Sequence, residues 1–226
     1  MRTPKGVAAA RGTNYTVTVD GVDVMVTVVG GEVSFNIPEL PQPVSLTPGT
    51  ASTGGAAQTL AQAVSSSPAA AAAISRAMQA AATVVATLVA DPNNTDGVTS
   101  TTLSQVVTAA ADAGGNGDNS LVALTAAAAV QADPNAGSTV VAAAVAADPS
   151  TANDVVASVV MELGQADSTA NLAALTTVAQ QTDSSVTIDQ LGVQSAIVNE
   201  LVGIDVNPTD VEVEVPTDNI VISPSS

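Results

Sequence analysis

The side chains of this chain that could do chemistry are, almost without exception, carboxylates. It has no His and no Cys, so neither an imidazole-activated nucleophile nor a thiolate or imidazole metal site can be built from it. Lys5 is the only lysine and Tyr15 the only tyrosine. With Lys5 so near the start, the body of the chain has no lysine for a Schiff base. The glycine-rich run 114–120 follows an apolar helical pattern rather than a strand and lacks the lysine of a phosphate loop. The acids fall at cap and exposed strand positions, and no two stand at helical spacing on an otherwise apolar face. The expected function is non-enzymatic, with no cofactor.

One stretch carries oxygen ligands at short spacing. Asp91, Asn93 and Asp96 in the run 91–97 are the candidates for weak calcium binding. The run misses the alternating register of a calcium loop and has no Glu near its twelfth position. Beside that reading stands a helix cap followed by a turn, which the same Asp-Pro-Asn residues would also make.

Charge separates along the chain. Of the 4 basic residues, Arg2, Lys5 and Arg11 occupy the first eleven positions, whereas all 21 acidic residues lie at Asp20 or beyond. A net charge of −17 excludes nucleic acid and anionic membrane surfaces as expected partners. It leaves another copy of the chain, whose acidic body can meet the basic arm. The basic start is not followed by an apolar run of the kind a cleaved leader needs. The expected location is extracellular or at a cell surface, with a virion as the other setting.

The elements that would position these residues are read from periodicity. Tyr15, Val17 and Val19 alternate with polar residues, as do Val22 to Val28 and then Val33, Phe35 and Ile37. Asp20-Gly21 and Gly30-Gly31 separate the three runs, which predicts a three-stranded antiparallel meander over 14–37 behind a flexible basic arm over 1–13. The prolines at 38, 41 and 43 open a connector over 38–55. A short helix is expected from about 56 to 64.

From Ser67 to Ala90 the sequence is apolar throughout except for polar residues such as Arg76, Gln79, Thr83 and Thr87, and Ser67-Pro68 reads as an N-cap with Pro at the first helical position. Its length would span a bilayer, but its polar residues and high Ala content predict a buried central helix instead. Beyond it, apolar residues at helical spacing are punctuated by Asp91, Asp112, Asp133, Asp148, Asp167 and Asp183, each read as a helix boundary. The fragments beginning at Ala147 and Gln165 resemble one another, which predicts a degenerate array of seven or eight helices arranged as hairpins over 56–203. Thr187 and Gln190 form a capping-box pair for the last helix.

After Gly203, Val211, Val213 and Val215 alternate with Glu212 and Glu214, and Ile220 and Ile222 flank Val221. This predicts a β-forming tail over 204–226. The fold class expected is α+β. Aromatic residues are only 1% of the chain, so an Ala/Val core gains most from burial against another subunit. The function expected is therefore a structural subunit that self-assembles into a filament or shell. Arg2, Lys5, Arg11, Tyr15, Val211, Val213, Val215, Ile220 and Ile222 would form the contacts. The alternatives are a capsid-decorating or tail component of a phage virion, and a monomeric acidic surface or adhesin-like module with weak calcium binding.

Overall fold

The computed structural model describes residues 2–3, 6–20, 23–38, 40–52, 55–94, 97–114, 119–164 and 168–195. The tail over 204–226, with Val211, Val213, Val215, Ile220 and Ile222, lies outside the described residues, as does Lys5. The fold is α+β, a small antiparallel sheet followed by a stack of helices.

The sheet is built on one long hairpin. Strand β1 (Arg2–Thr3) lies beside β2 (Gly6–Asp20), which pairs along its whole length with β3 (Asp23–Asn36). Strands β4 (Val44–Leu46) and β5 (Thr50–Ser52) share the other side of β3, and β6 (Gln58–Thr59) follows β5. Asp20 pairs with Asp23, so β2 and β3 form a hairpin where the Asp20-Gly21 signal expects one, and 21–22 lie outside the described residues.

Gly30-Gly31 is not a second turn. The register slips between Arg11 and Asn14 and again between Asn14 and Tyr15, opposite those glycines. Buried positions on β3 change parity there, from Val26 and Val28 to Val33, Phe35 and Ile37. That is the signature of a β-bulge, which glycine accommodates without steric cost. The three-stranded meander is thus corrected to a bulged hairpin with short strands added. The flexible arm is corrected as well, because 7–11 of β2 pair with Glu32–Asn36 and Ala8 is buried in the sheet cluster.

Val26, Val28, Val33, Phe35, Ile37, Leu46 and Ala8 form the sheet's own apolar cluster. Thr27, between two of them, must face the other way. Its cross-strand partner Ala51 belongs to the helical core, so that face looks toward the helices.

The helical part begins with α1 (Leu60–Ser66), whose N-terminus is closed by a Thr59/Gln62 capping box. Helix α2 (Pro68–Ala90) starts as expected, with Ser67 Oγ accepting the Ala70 amide at 3.1 Å. It is long and apolar enough to cross a membrane by length and composition. Here it packs Ala70, Ile74, Ala77, Met78, Ala81, Ala82, Val85 and Ala86 into the core. The alanines among them let neighbouring helices approach closely.

Helices α3 (Ser100–Gly114), α4 (Ser120–Ala132), α5 (Gly137–Ala147), α6 (Ala152–Leu163) and α7 (Ser168–Thr182) follow, and a further helical turn occupies 190–195. Alternate helices stack: α2 packs on α4 and α4 on α6, while α3 packs on α5 and α5 on α7. Each consecutive pair also touches, so the chain climbs as helical hairpins in two layers. The sheet closes one end of the stack through contacts of β2 and β3 with α2 and of β3 with α3.

Candidate assembly surfaces

Of the predicted contact residues in the N-terminal part, Arg2 lies on β1 and Arg11 and Tyr15 lie apart on β2. Arg2 stands opposite Val7, Arg11 opposite Glu32 and Tyr15 opposite Val28. The Ser45 hydroxyl donates a hydrogen bond to the Glu32 carboxylate. Among the described residues, β1 meets β2 only at Gly6 and Val7. From Ala9 to Asp20 no described strand lies on the side of β2 away from β3. Twelve residues of strand edge are long for a sheet that is not to recruit another strand.

The calcium candidates do other work. Asp91 caps the end of α2, and its Oδ1 accepts the Asn93 amide at 2.8 Å and the Asn93 side-chain Nδ2 at 3.3 Å. Asp96 lies outside the described residues. The geometry recurs at three further corners. Asp133 Oδ1 accepts from Asn135, Asp148 Oδ1 from Ser150 and Asp183 Oδ1 from Ser185, each from the amide two residues on, at 3.0, 2.9 and 2.8 Å. These are Asx turns, and the repeated Asp is the device that reverses the chain between layers. Among the described residues no group of three or more acidic, His or Cys side chains is placed to hold a metal.

Two of the expected helix boundaries come out differently. Asp112 is inside α3, on its exposed side, rather than at a cap. The last helical turn is capped by Asp189, whose Oδ1 accepts the Gly192 amide at 3.0 Å, and not by Thr187. Asp167 lies outside the described residues.

Sequence reasoning did not find the cross-links between hairpins. Asn119, ahead of α4, donates from Nδ2 to Ser150 O at 3.1 Å and to Asp154 Oδ2 at 2.8 Å. Asn153, on α6, repeats the pattern one hairpin further: its Oδ1 accepts the Asp189 amide at 2.8 Å and its Nδ2 donates to Thr187 O at 3.4 Å. The outward apolar residues were also missed. Val84, Leu124, Met161 and Leu191 are the large hydrophobic side chains left exposed among the described residues. The first three lie on α2, α4 and α6, and Leu191 lies on the turn that Asn153 holds to α6. The signal that could have found them is their position off the buried stripe of each helix.

A shallow cleft of about 300 Å³ lies between the Pro48-Gly49 turn and α3. Thr101, Gln105, Thr108 and Asp112 line it, and one carboxylate with hydroxyls and an amide sets up no proton relay. No protein-family model, curated protein or solved structure shows a significant match to this chain.

Proposed function

We propose that this chain is a non-enzymatic structural subunit that self-assembles into a homopolymeric filament or shell by adding a strand to the open edge of β2. The observation that carries this reading is that, among the described residues, no strand flanks Ala9–Asp20 on the side away from β3. An extended segment from a neighbour would satisfy its backbone groups by β-augmentation. The donor that fits is 211–215 of a second copy. As a strand, its Glu212 and Glu214 would share one face and could oppose Arg11, while Val211, Val213 and Val215 would share the other. Arg2 and Lys5 would reach acidic surface on the same neighbour. A surface or virion setting goes with this reading.

Deleting 1–12 would not test this edge cleanly, because it removes Ala8 from the sheet cluster. The experiment is light scattering and negative-stain microscopy on the full chain, on a chain lacking 204–226, and on Thr16→Pro and Val17→Pro. Neighbouring residues in a strand direct their amides to opposite sides, so one of the two prolines strikes only the open edge. Loss of assembly in the truncation and in that variant, with secondary structure kept, is the expected result. The stacked hairpins favour a second reading, a monomeric binding module presenting a helical surface. All four proteins would then stay monomeric.

A further inference from the structure

We infer that the outward face of α2, α4 and α6 binds the same face of a second copy about a two-fold axis running along α4. The exposed large apolar residues of the described helices all belong to this layer and its continuation: Val84 at 58%, Leu124 at 48%, Met161 at 37% and, in the 190–195 turn, Leu191 at 77% exposure. None belongs to the α3, α5 and α7 layer. Between them and the charged positions stand small residues such as Ala80 and Thr83 on α2, Ala127 on α4 and Ser158 on α6.

The charges on this face decide the partner. Arg76 is the only charged residue of α2, α4 has none, and α6 carries Asp154 and Glu162. The single cation thus sits on one flank and the acids on the other. A two-fold axis along α4 lays α2 of one copy over α6 of its partner, which brings the cation to the acids twice.

The heights agree. The 15 residues of α3 return the chain by about 22 Å, the rise of α2 from Arg76 to Ala90, so α4 starts level with Arg76. The Asn119 bonds to Ser150 and Asp154 set the start of α6 level with the start of α4. Arg76 therefore meets Asp154 of the other copy, Leu124 meets its own equivalent, and Val84 meets Met161. Three helices about 10 Å apart and 18 Å long present a face that would bury roughly 1,000 Å² over both copies, the lower bound for a specific interface.

This contact is independent of the β2 edge, and the test keeps the two apart. The full chain has no Cys, so Leu124→Cys reports the axis through a single symmetric disulfide. Leu124→Cys, with Thr177→Cys on exposed α7 as the collision control, is oxidised mildly both in the full chain and in a chain lacking 204–226. The expected result is a covalent dimer from Leu124→Cys in both backgrounds and at least tenfold less from Thr177→Cys. Sedimentation velocity should show dimer lost in Arg76→Glu and regained in Arg76→Glu/Asp154→Lys. Equal cross-linking at the two positions overturns the inference. So does absence of dimer while filaments persist, and that outcome leaves assembly through β2 standing.

Discussion

Asn119 and Asp154, 35 residues apart, are joined by a 2.8 Å hydrogen bond that ties the start of one helical hairpin to the start of the next. The same asparagine donates to Ser150 O, and Asn153 bridges the next step by donating to Thr187 O and accepting the Asp189 amide. The stack therefore has a polar seam along one end of its hairpins, while its interior is mostly Ala and Val. Asn153→Ala should cost about 1 kcal/mol in urea unfolding, because it leaves the Asp189 amide and Thr187 carbonyl to water. Amide exchange over 186–195 should rise more than elsewhere. Uniform exchange would show that the seam does not hold the last turn.

Gly137 and Gly192 should respond to Ala in opposite directions. A Cβ on Gly137 would meet Val159 Cγ1 at 3.4 Å and Leu163 Cδ1 and Leu175 Cδ2 at 3.7 Å, which is ordinary packing at the start of α5. Gly137→Ala should gain about 0.5–1 kcal/mol from helix propensity. A Cβ on Gly192 would come within 2.5 Å of Asp189 Oδ2, the side chain that caps that turn. Gly192→Ala should lower the thermal midpoint by displacing the cap. Thermal melts of the two variants check both signs.

Much of this architecture is written locally. The Asp20-Gly21 signal marks the hairpin, and Ser67-Pro68 marks the start of α2 because cap and Pro act within one turn. Asp91, Asp133 and Asp148 mark corners because the carboxylate needs only the amide two residues on. Asp112 is followed by Ala113 where those three are followed by Pro, and it sits inside the last turn of α3 as an exposed side chain. Gly30-Gly31 permits a turn or a bulge equally, and the choice is made by pairing of Ala8 with Phe35, 27 residues away. The asparagine seam and the outward apolar stripe are legible only once helices α2, α4 and α6 are seen to stack. That no described strand flanks Ala9–Asp20 on that side likewise follows from where β1 stops.

Thr27 is buried and its Oγ1 has no hydrogen-bond partner among the described residues. Its strand position faces the helical core, so the hydroxyl is desolvated without compensation. Thr27→Val keeps the shape and should stabilise the protein by about 1 kcal/mol in equilibrium unfolding. A loss of similar size would reveal a partner for that oxygen.

The Asp183 carboxyl is held below its ordinary value of 3.8, first by the Ser185 hydroxyl and then by the Ser185 amide. Because the folded value is the lower one, this corner contributes stability at every pH above the unfolded value near 3.9. The contribution is lost as pH falls through the folded value. Asp183→Asn should flatten that part of the stability profile below about pH 4. NMR titration of the carboxyl should give a midpoint under 3.8, and a midpoint above it would contradict the Asx-turn assignment.

The most direct measurement of the central claim is light scattering with negative-stain microscopy on the full chain, beside the proline variant that strikes only the open edge of β2. The account predicts regular filaments or closed shells from the full chain. From the variant it predicts only small species with native helical signal. Full-chain particles no larger than a dimer at every concentration, or filaments unchanged by the proline, would contradict assembly through β2.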